Sequence, residues 1–126
     1  MKIKTSKITK ILTRDVISNK LLSPNIIKFK KKFILFYSKR IIDRKKYAEI
    51  NNAESTDLTS WKINSSFKIN PLSIDHFSNG LLSPCFFKLN EKNYILTEAQ
   101  NNNESEIILL TSDDLFNWKL KNKFCK

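Results

Sequence analysis

The nine residues Leu21-Leu22-Ser23-Pro24-Asn25-Ile26-Ile27-Lys28-Phe29 return sixty positions later as Leu81-Leu82-Ser83-Pro84-Cys85-Phe86-Phe87-Lys88-Leu89, with five identities and the apolar positions matched. A second signature, Ser55-Thr56-Asp57-Leu58-Thr59-Ser60-Trp61-Lys62, returns as Ser112-Asp113-Asp114-Leu115-Phe116-Asn117-Trp118-Lys119 at an offset of 57, so a three-residue indel lies between the motifs. Both tryptophans of the chain occupy the same place in this unit. A chain made of two copies of one unit must fold so that each copy buries its apolar side against the next.

Each unit reads as short strands. Strand A is Pro24 to Phe29 or Pro84 to Leu89, with proline admissible at the first position of a strand. A polar tip follows, Lys30 to Lys32 or Asn90 to Asn93, and then strand B, Phe33 to Tyr37 or Tyr94 to Thr97, whose unbroken apolar run predicts cover on both faces. Strand C runs from about Tyr47 to Ala53 or Glu106 to Thr111. In Ser-x-Asp-Leu-x-x-Trp the Ser and Asp side chains can bond nearby backbone in a turn, after which the Trp opens strand D. Four antiparallel strands in about 60 residues match the size and content of a β-propeller blade. A two-sheet sandwich of two meanders is the competing architecture, because short, evenly spaced strands suit either.

With 126 residues, 40% of them hydrophobic, the chain has material for one core and no second domain. The parts are a basic segment 1–20 that can supply a leftover strand, a first repeat 21–62, a connecting loop 63–80, a second repeat 81–119 and a tail 120–126. Two cysteines without a CxxC and a single histidine give no disulfide framework, no zinc site and no other metal site, and a reducing, cytoplasmic setting is expected. One glycine, Gly80, excludes Gly-rich phosphate loops, and no cofactor is expected. Apolar runs of five residues, as in Phe33 to Tyr37, fall far short of the ~20 that span a bilayer, and no signal peptide is visible.

The net charge of +11 raises acidic partners. Lys, Asn and Ile make up 50 of the 126 residues, a bias that codon drift at tolerant surface positions would also produce. Yet the excess is confined to residues 1–63, which carry 16 basic and 5 acidic side chains, whereas residues 64–126 carry 7 of each. Lys28, Lys30, Lys31 and Lys32 interleave with Phe29 and Phe33 as in single-strand binders. The strand phase buries those aromatics, leaving the lysines at a hairpin tip, so specific nucleic-acid recognition is not expected.

Ser-Pro-x-x-x-Lys, a polar tip, an aromatic-rich strand and Ser-x-Asp-Leu-x-x-Trp together resemble the blade signature of the five-bladed propeller glycoside hydrolases, the arabinanase, xylosidase, fructosidase and levansucrase group. Tyr94-Ile95-Leu96-Thr97-Glu98-Ala99 before an Ile-rich strand also resembles the propeller of glucosamine inositolphosphorylceramide transferases. The resemblance covers residues 21–62 and 81–119 and implies an all-β body of two four-stranded antiparallel blades, part of a five-bladed ring. Such a piece leaves blade faces uncovered, which implies self-association or missing blades in a companion chain. It also implies carbohydrate as partner and a catalytic carboxylate just before the proline that opens an innermost strand, one of the pair that glycoside hydrolysis needs. Here those positions are Ser23 and Ser83, so the expectation is a carbohydrate-active fragment inactive as an isolated chain. A basic binding or assembly module for anionic glycan or nucleic acid is the alternative.

Other candidate groups come from hairpin geometry. With a tip near Glu91, Pro84 faces about Glu98, which emerges at the same end as Ser83; the same count sets Tyr37 and Ser38 beside Pro24 and Asn25. Glu98 replaces an aromatic of the first unit and is either a rim carboxylate paired with Lys or Arg, or a sugar-binding or acid group. Asp75 and His76, eight and seven residues before Ser83, approach the same end, either as an ordinary surface turn or as part of a site. The Ser38 to Lys46 connection carries Lys39, Arg40, Arg44, Lys45 and Lys46, which suit a carboxylated or phosphorylated glycan if the loop is more than solvated. Glu98 and Asp75 are thus the candidate catalytic groups, and Ser23, Asn25, Tyr37, Arg40, His76 and Ser83 the candidate substrate contacts.

Overall fold

The computed structural model describes residues 19–41, 47–74, 79–101 and 104–125. Eight strands follow in chain order: β1 (Asn19–Phe29), β2 (Lys32–Ile41), β3 (Ala48–Ser55), β4 (Lys62–Ile63), β5 (Gly80–Leu89), β6 (Lys92–Asn101), β7 (Glu104–Ser112) and β8 (Lys119–Cys125), with a 3-10 turn at Pro71–Ser73. Strands β1 to β4 pair antiparallel in sequence order, and so do β5 to β8. A single parallel pair, Ala48 with Gly80, links β3 to β5. The repeat is therefore a four-stranded meander used twice.

Turn chemistry sets the hairpins. Asn90 and Glu91 both take left-handed backbone (φ 48° and 63°), the type I′ conformation whose twist suits a two-residue connection between Leu89 and Lys92. In the first unit the connection is also two residues long, but of these Lys30 alone is left-handed (φ 55°). Lys30 and Lys31 are exposed there, with Lys30 Nζ 5.4 Å from the Phe29 ring centre.

The strands start earlier than the sequence suggests. Proline does not open β1 and β5; each strand begins five or four residues upstream and runs through a bulge at Ser23-Pro24 or Ser83-Pro84. The turn centre and the extra residue each shift the register by one from the expected pairing: Asn25 pairs with Phe36, Ser38 with Leu22, and Leu82, not Pro84, with Glu98. Glu98 accordingly matches Ser38 and not an aromatic residue.

The two units stack face to face. Ile34, Phe36 and Ile50 of the first pack with Leu81, Ile95, Ala99, Ile108 and Leu110 of the second, all buried, and Ile27, Phe29, Phe86 and Trp118 close the edges. Phe36 lies parallel to Phe86 with ring centres 5.8 Å apart, and Trp118 meets both edge-on at 6.2 and 6.3 Å, favoured aromatic geometries. Strand β2 is buried on both faces from Ile34 to Ser38, as its apolar run requires, because Leu35, Tyr37 and Ala53 form a second cluster with Leu21 and Trp61 on the opposite side. Strand β6 instead alternates between buried and half-buried, so only one of its faces is covered. The two tryptophans share a local setting, each indole N–H donating to the carbonyl three residues back (Leu58 and Leu115). Their wider surroundings differ, since Trp118 faces the partner unit and Trp61 the outer cluster.

Candidate functional site

The bulges place two hydroxyls side by side. Ser23 and Ser83 hold left-handed backbone at φ 52° and 54°, which costs a residue with a Cβ about 1–2 kcal/mol, and both prolines that follow sit inside the strand. The Ser23 and Ser83 Oγ atoms lie 3.3 Å apart and share a hydrogen bond at an exposed position. Next to them, Asn25 Oδ1 accepts from the backbone N–H of Phe86 at 2.8 Å, tying strand β1 to strand β5 across the interface. On the second unit Thr97 Oγ1 donates to the Leu82 carbonyl at 2.6 Å and fixes the bulge from the neighbouring strand. The structure thus brings together three of the residues singled out in the sequence, Ser23, Asn25 and Ser83, at the bulges of the two adjoining strands.

The other candidates lie apart from that pair. Tyr37 stands opposite the Ser23-Pro24 bulge but is buried in the outer cluster with Leu35. Arg40 is half-buried on β2, between Lys20 and Ala48. Glu98 is level with Leu82, yet alternation on β6 puts it with Leu96 on the face of the second unit turned away from the first, where its Oε1 accepts from Gln100 Nε2 at 3.1 Å. Asp75, His76 and the basic stretch 42–46 lie outside the described residues.

One acidic group at this end was not foreseen. Glu49 on β3 is buried to 9% exposure, and its carboxylate accepts from Tyr47 Oη at 3.4 Å and from Asn51 Nδ2 at 3.3 Å. Tyr47 Oη also donates to Asn70 Oδ1 at 3.1 Å. The alternation Tyr47-x-Glu49-x-Asn51 puts these side chains on one face of a strand, and that period was the signal to look for. Glu49 sits on the outer side of the first unit and Glu98 on the outer side of the second. The two carboxylates therefore face away from each other across the packed units and share no common space, as a hydrolytic pair must.

At the opposite end, the repeated Ser-x-Asp-Leu turns are self-contained. Ser55 Oγ accepts from the N–H groups of Asp57 and Leu58 and donates to Asp57, whose Oδ1 accepts from the N–H groups of Thr59 and Ser60. Ser112 and Asp114 repeat the pattern with Leu115, Phe116 and Asn117. The backbone N–H of Ser60, then that of Thr59, holds the Asp57 carboxyl at about 2, and Asn117 and Phe116 hold Asp114 lower still. These carboxylates serve the turn. No group of His, Cys, Asp and Glu with metal-binding spacing occurs among the described residues.

No protein-family model matches the sequence, and no curated protein matches it. Solved structures do. A family 117 glycoside hydrolase of the marine bacterium Zobellia galactanivorans superposes with a TM-score of 0.76 at 17% identity over 93% of this chain and 43% of its own. A family 32 β-fructofuranosidase of Bombyx mori, in complex with sucrose, gives 0.68 at 17% identity over 87% of this chain and 24% of its own. An arabinanase of Bacillus subtilis gives 0.60 at 20% identity over 84% and 38%. The chain thus spans less than half the length of these proteins. At such identities the likeness speaks for the fold, and the fold of this chain is that of a segment of the glycoside hydrolase β-propellers.

Proposed function

We propose that the chain is a carbohydrate-binding portion of a propeller of the glycoside hydrolase kind that does not itself hydrolyse its glycan. The paired hydroxyls of Ser23 and Ser83 carry this reading. They stand, exposed and 3.3 Å apart, where the family pattern sets a carboxylate before the strand proline. A hydroxyl pair can donate to and accept from sugar hydroxyls, but it cannot protonate a leaving oxygen. The outward separation of Glu49 and Glu98 supports the same conclusion.

The test is a glycan array read at low and high salt, with a hydrolysis assay on every retained glycan. Binding that resists salt, fails in Ser23→Ala/Ser83→Ala and gives no released sugar is the expected result. Turnover, or DNA binding that persists at high salt with no glycan retained, overturns it. The second reading, attraction to polyanions, is favoured by exposed Lys28, Lys30 and Lys31; it requires binding to DNA and acidic glycans alike that collapses as salt rises.

A further inference from the structure

The two faces of the repeat are distinguishable residue by residue. The face of the first unit that packs on the second carries Ile27, Phe29, Ile34, Phe36 and Ile50. By the repeat and the observed register, the same positions of the second unit are Phe87, Leu89, Tyr94, Leu96 and Ile107. In the first unit Ile34, Phe36 and Ile50 are buried and Ile27 and Phe29 half-buried. In the second, Phe87 and Ile107 are each 38% exposed and Leu89 is 57% exposed, with Phe87 stacked on Tyr94 at 5.2 Å. The second unit therefore repeats a packing face and leaves it open. The surface that would receive it on another copy, Leu35, Tyr37 and Ala53, is already buried, so head-to-tail addition has no acceptor.

Charge on the open face selects an arrangement. Lys92 and Glu98 lie on β6 with the parity of Tyr94 and Leu96, at equal distances on either side of Ile95. In the first unit Lys32, the counterpart of Lys92, is paired with Glu54 at 2.8 Å. The counterpart of Glu54 is Thr111, so among the described residues Lys92 has no carboxylate partner and the Glu98 carboxylate has only the amide of Gln100. Two copies laid face to face about a twofold axis crossing β6 at Ile95 set Lys92 of each against Glu98 of the other. A twofold axis along the strand would oppose like charges. Sheets packed this way lie about 10 Å apart, within the joint reach of a lysine and a glutamate side chain.

We propose that the open face of the second unit binds a second copy of the same chain in an isologous dimer, antiparallel at β6, with Phe87, Tyr94, Leu96, Ile107 and Leu109 in the middle and two Lys92–Glu98 pairs at the ends. An interface that uses one patch on both partners closes at two and does not grow. The proposal does not depend on the sugar reading, because mass and glycan retention are measured separately.

The experiment is sedimentation equilibrium of the full chain up to about 100 μM in reducing buffer, a range that covers micromolar association. Wild type is expected at twice the mass of one chain. Lys92→Glu or Glu98→Lys alone raises the dissociation constant about tenfold or more by setting like charges opposite each other, and the double reversal returns it to within about threefold. Ile107→Asp gives a monomer with an unchanged far-ultraviolet β-sheet spectrum. A monomer at every concentration, a mass that keeps growing with concentration, or a double reversal no better than the singles overturns the proposal.

Discussion

Ser23 and Ser83 occupy backbone that glycine would hold at lower cost, in a chain that contains one glycine. Here the left-handed conformation belongs to the bulge, as at Leu58 and Leu115 it belongs to the turn. Ser83→Gly is expected to raise stability by up to about 1 kcal/mol in urea denaturation, by relieving the left-handed conformation, while removing one of the paired hydroxyls and weakening glycan retention. Asn25→Leu is expected to lose about 1–3 kcal/mol, because the Phe86 N–H is then left without its acceptor. The turn aspartates give a pH prediction. Asp57 folds with its carboxyl at about 2 against an ordinary 3.8, and Asp114 lies lower. A carboxyl depressed in the folded state stabilises above its unfolded value and loses that contribution as pH falls through the folded one. Thermal midpoints should therefore decline from about pH 4 down to about pH 2, and Asp57→Asn should flatten that decline. An Asp57→Asn variant with the wild-type slope would remove the turn from the account.

At the level of strands, periodicity revealed more than register. The duplicated motif, the all-β character and the doubly covered β2 followed from which residues recur and how apolar they are. The bulge did not, because Ser-Pro reads equally as the start of a strand or as an irregularity within one, and only the partner strand decides between them. A turn centred between Asn90 and Glu91 and that single inserted residue, one position each, moved Glu98 from facing Pro84 to facing Leu82. Glu49 was passed over because a lone glutamate in a strand does not announce its partners: Tyr47, which donates to its carboxylate, also reaches Asn70, twenty-three residues further along the chain. Matched substitutions separate the two faces of the repeat. Phe36→Ala empties the middle of the interface between units and should cost about 3–5 kcal/mol, whereas Leu96→Ala, at the matching position on the open face, should cost about 1–2 kcal/mol for a half-buried side chain. Equal losses in chemical denaturation would mean that the two faces are not distinct.

Within the molecule as a whole, the contacts divide sharply by distance along the chain. Each unit is made of neighbouring hairpins. The units meet through one parallel residue pair, the Asn25 bond to Phe86, the serine pair and the apolar stack. No helix among the described residues is long and apolar enough to cross a membrane. The rings that form the stack include Trp118, whereas Trp61 lies on the other side of the first unit. The chain thus carries two optical reporters for two different events. In refolding after rapid dilution of denaturant, fluorescence of the Trp118→Phe variant, which retains Trp61, should recover with hairpin closure, since local loops close first. Fluorescence of the Trp61→Phe variant should lag, because the indole of Trp118 stays wet until two finished sheets find each other.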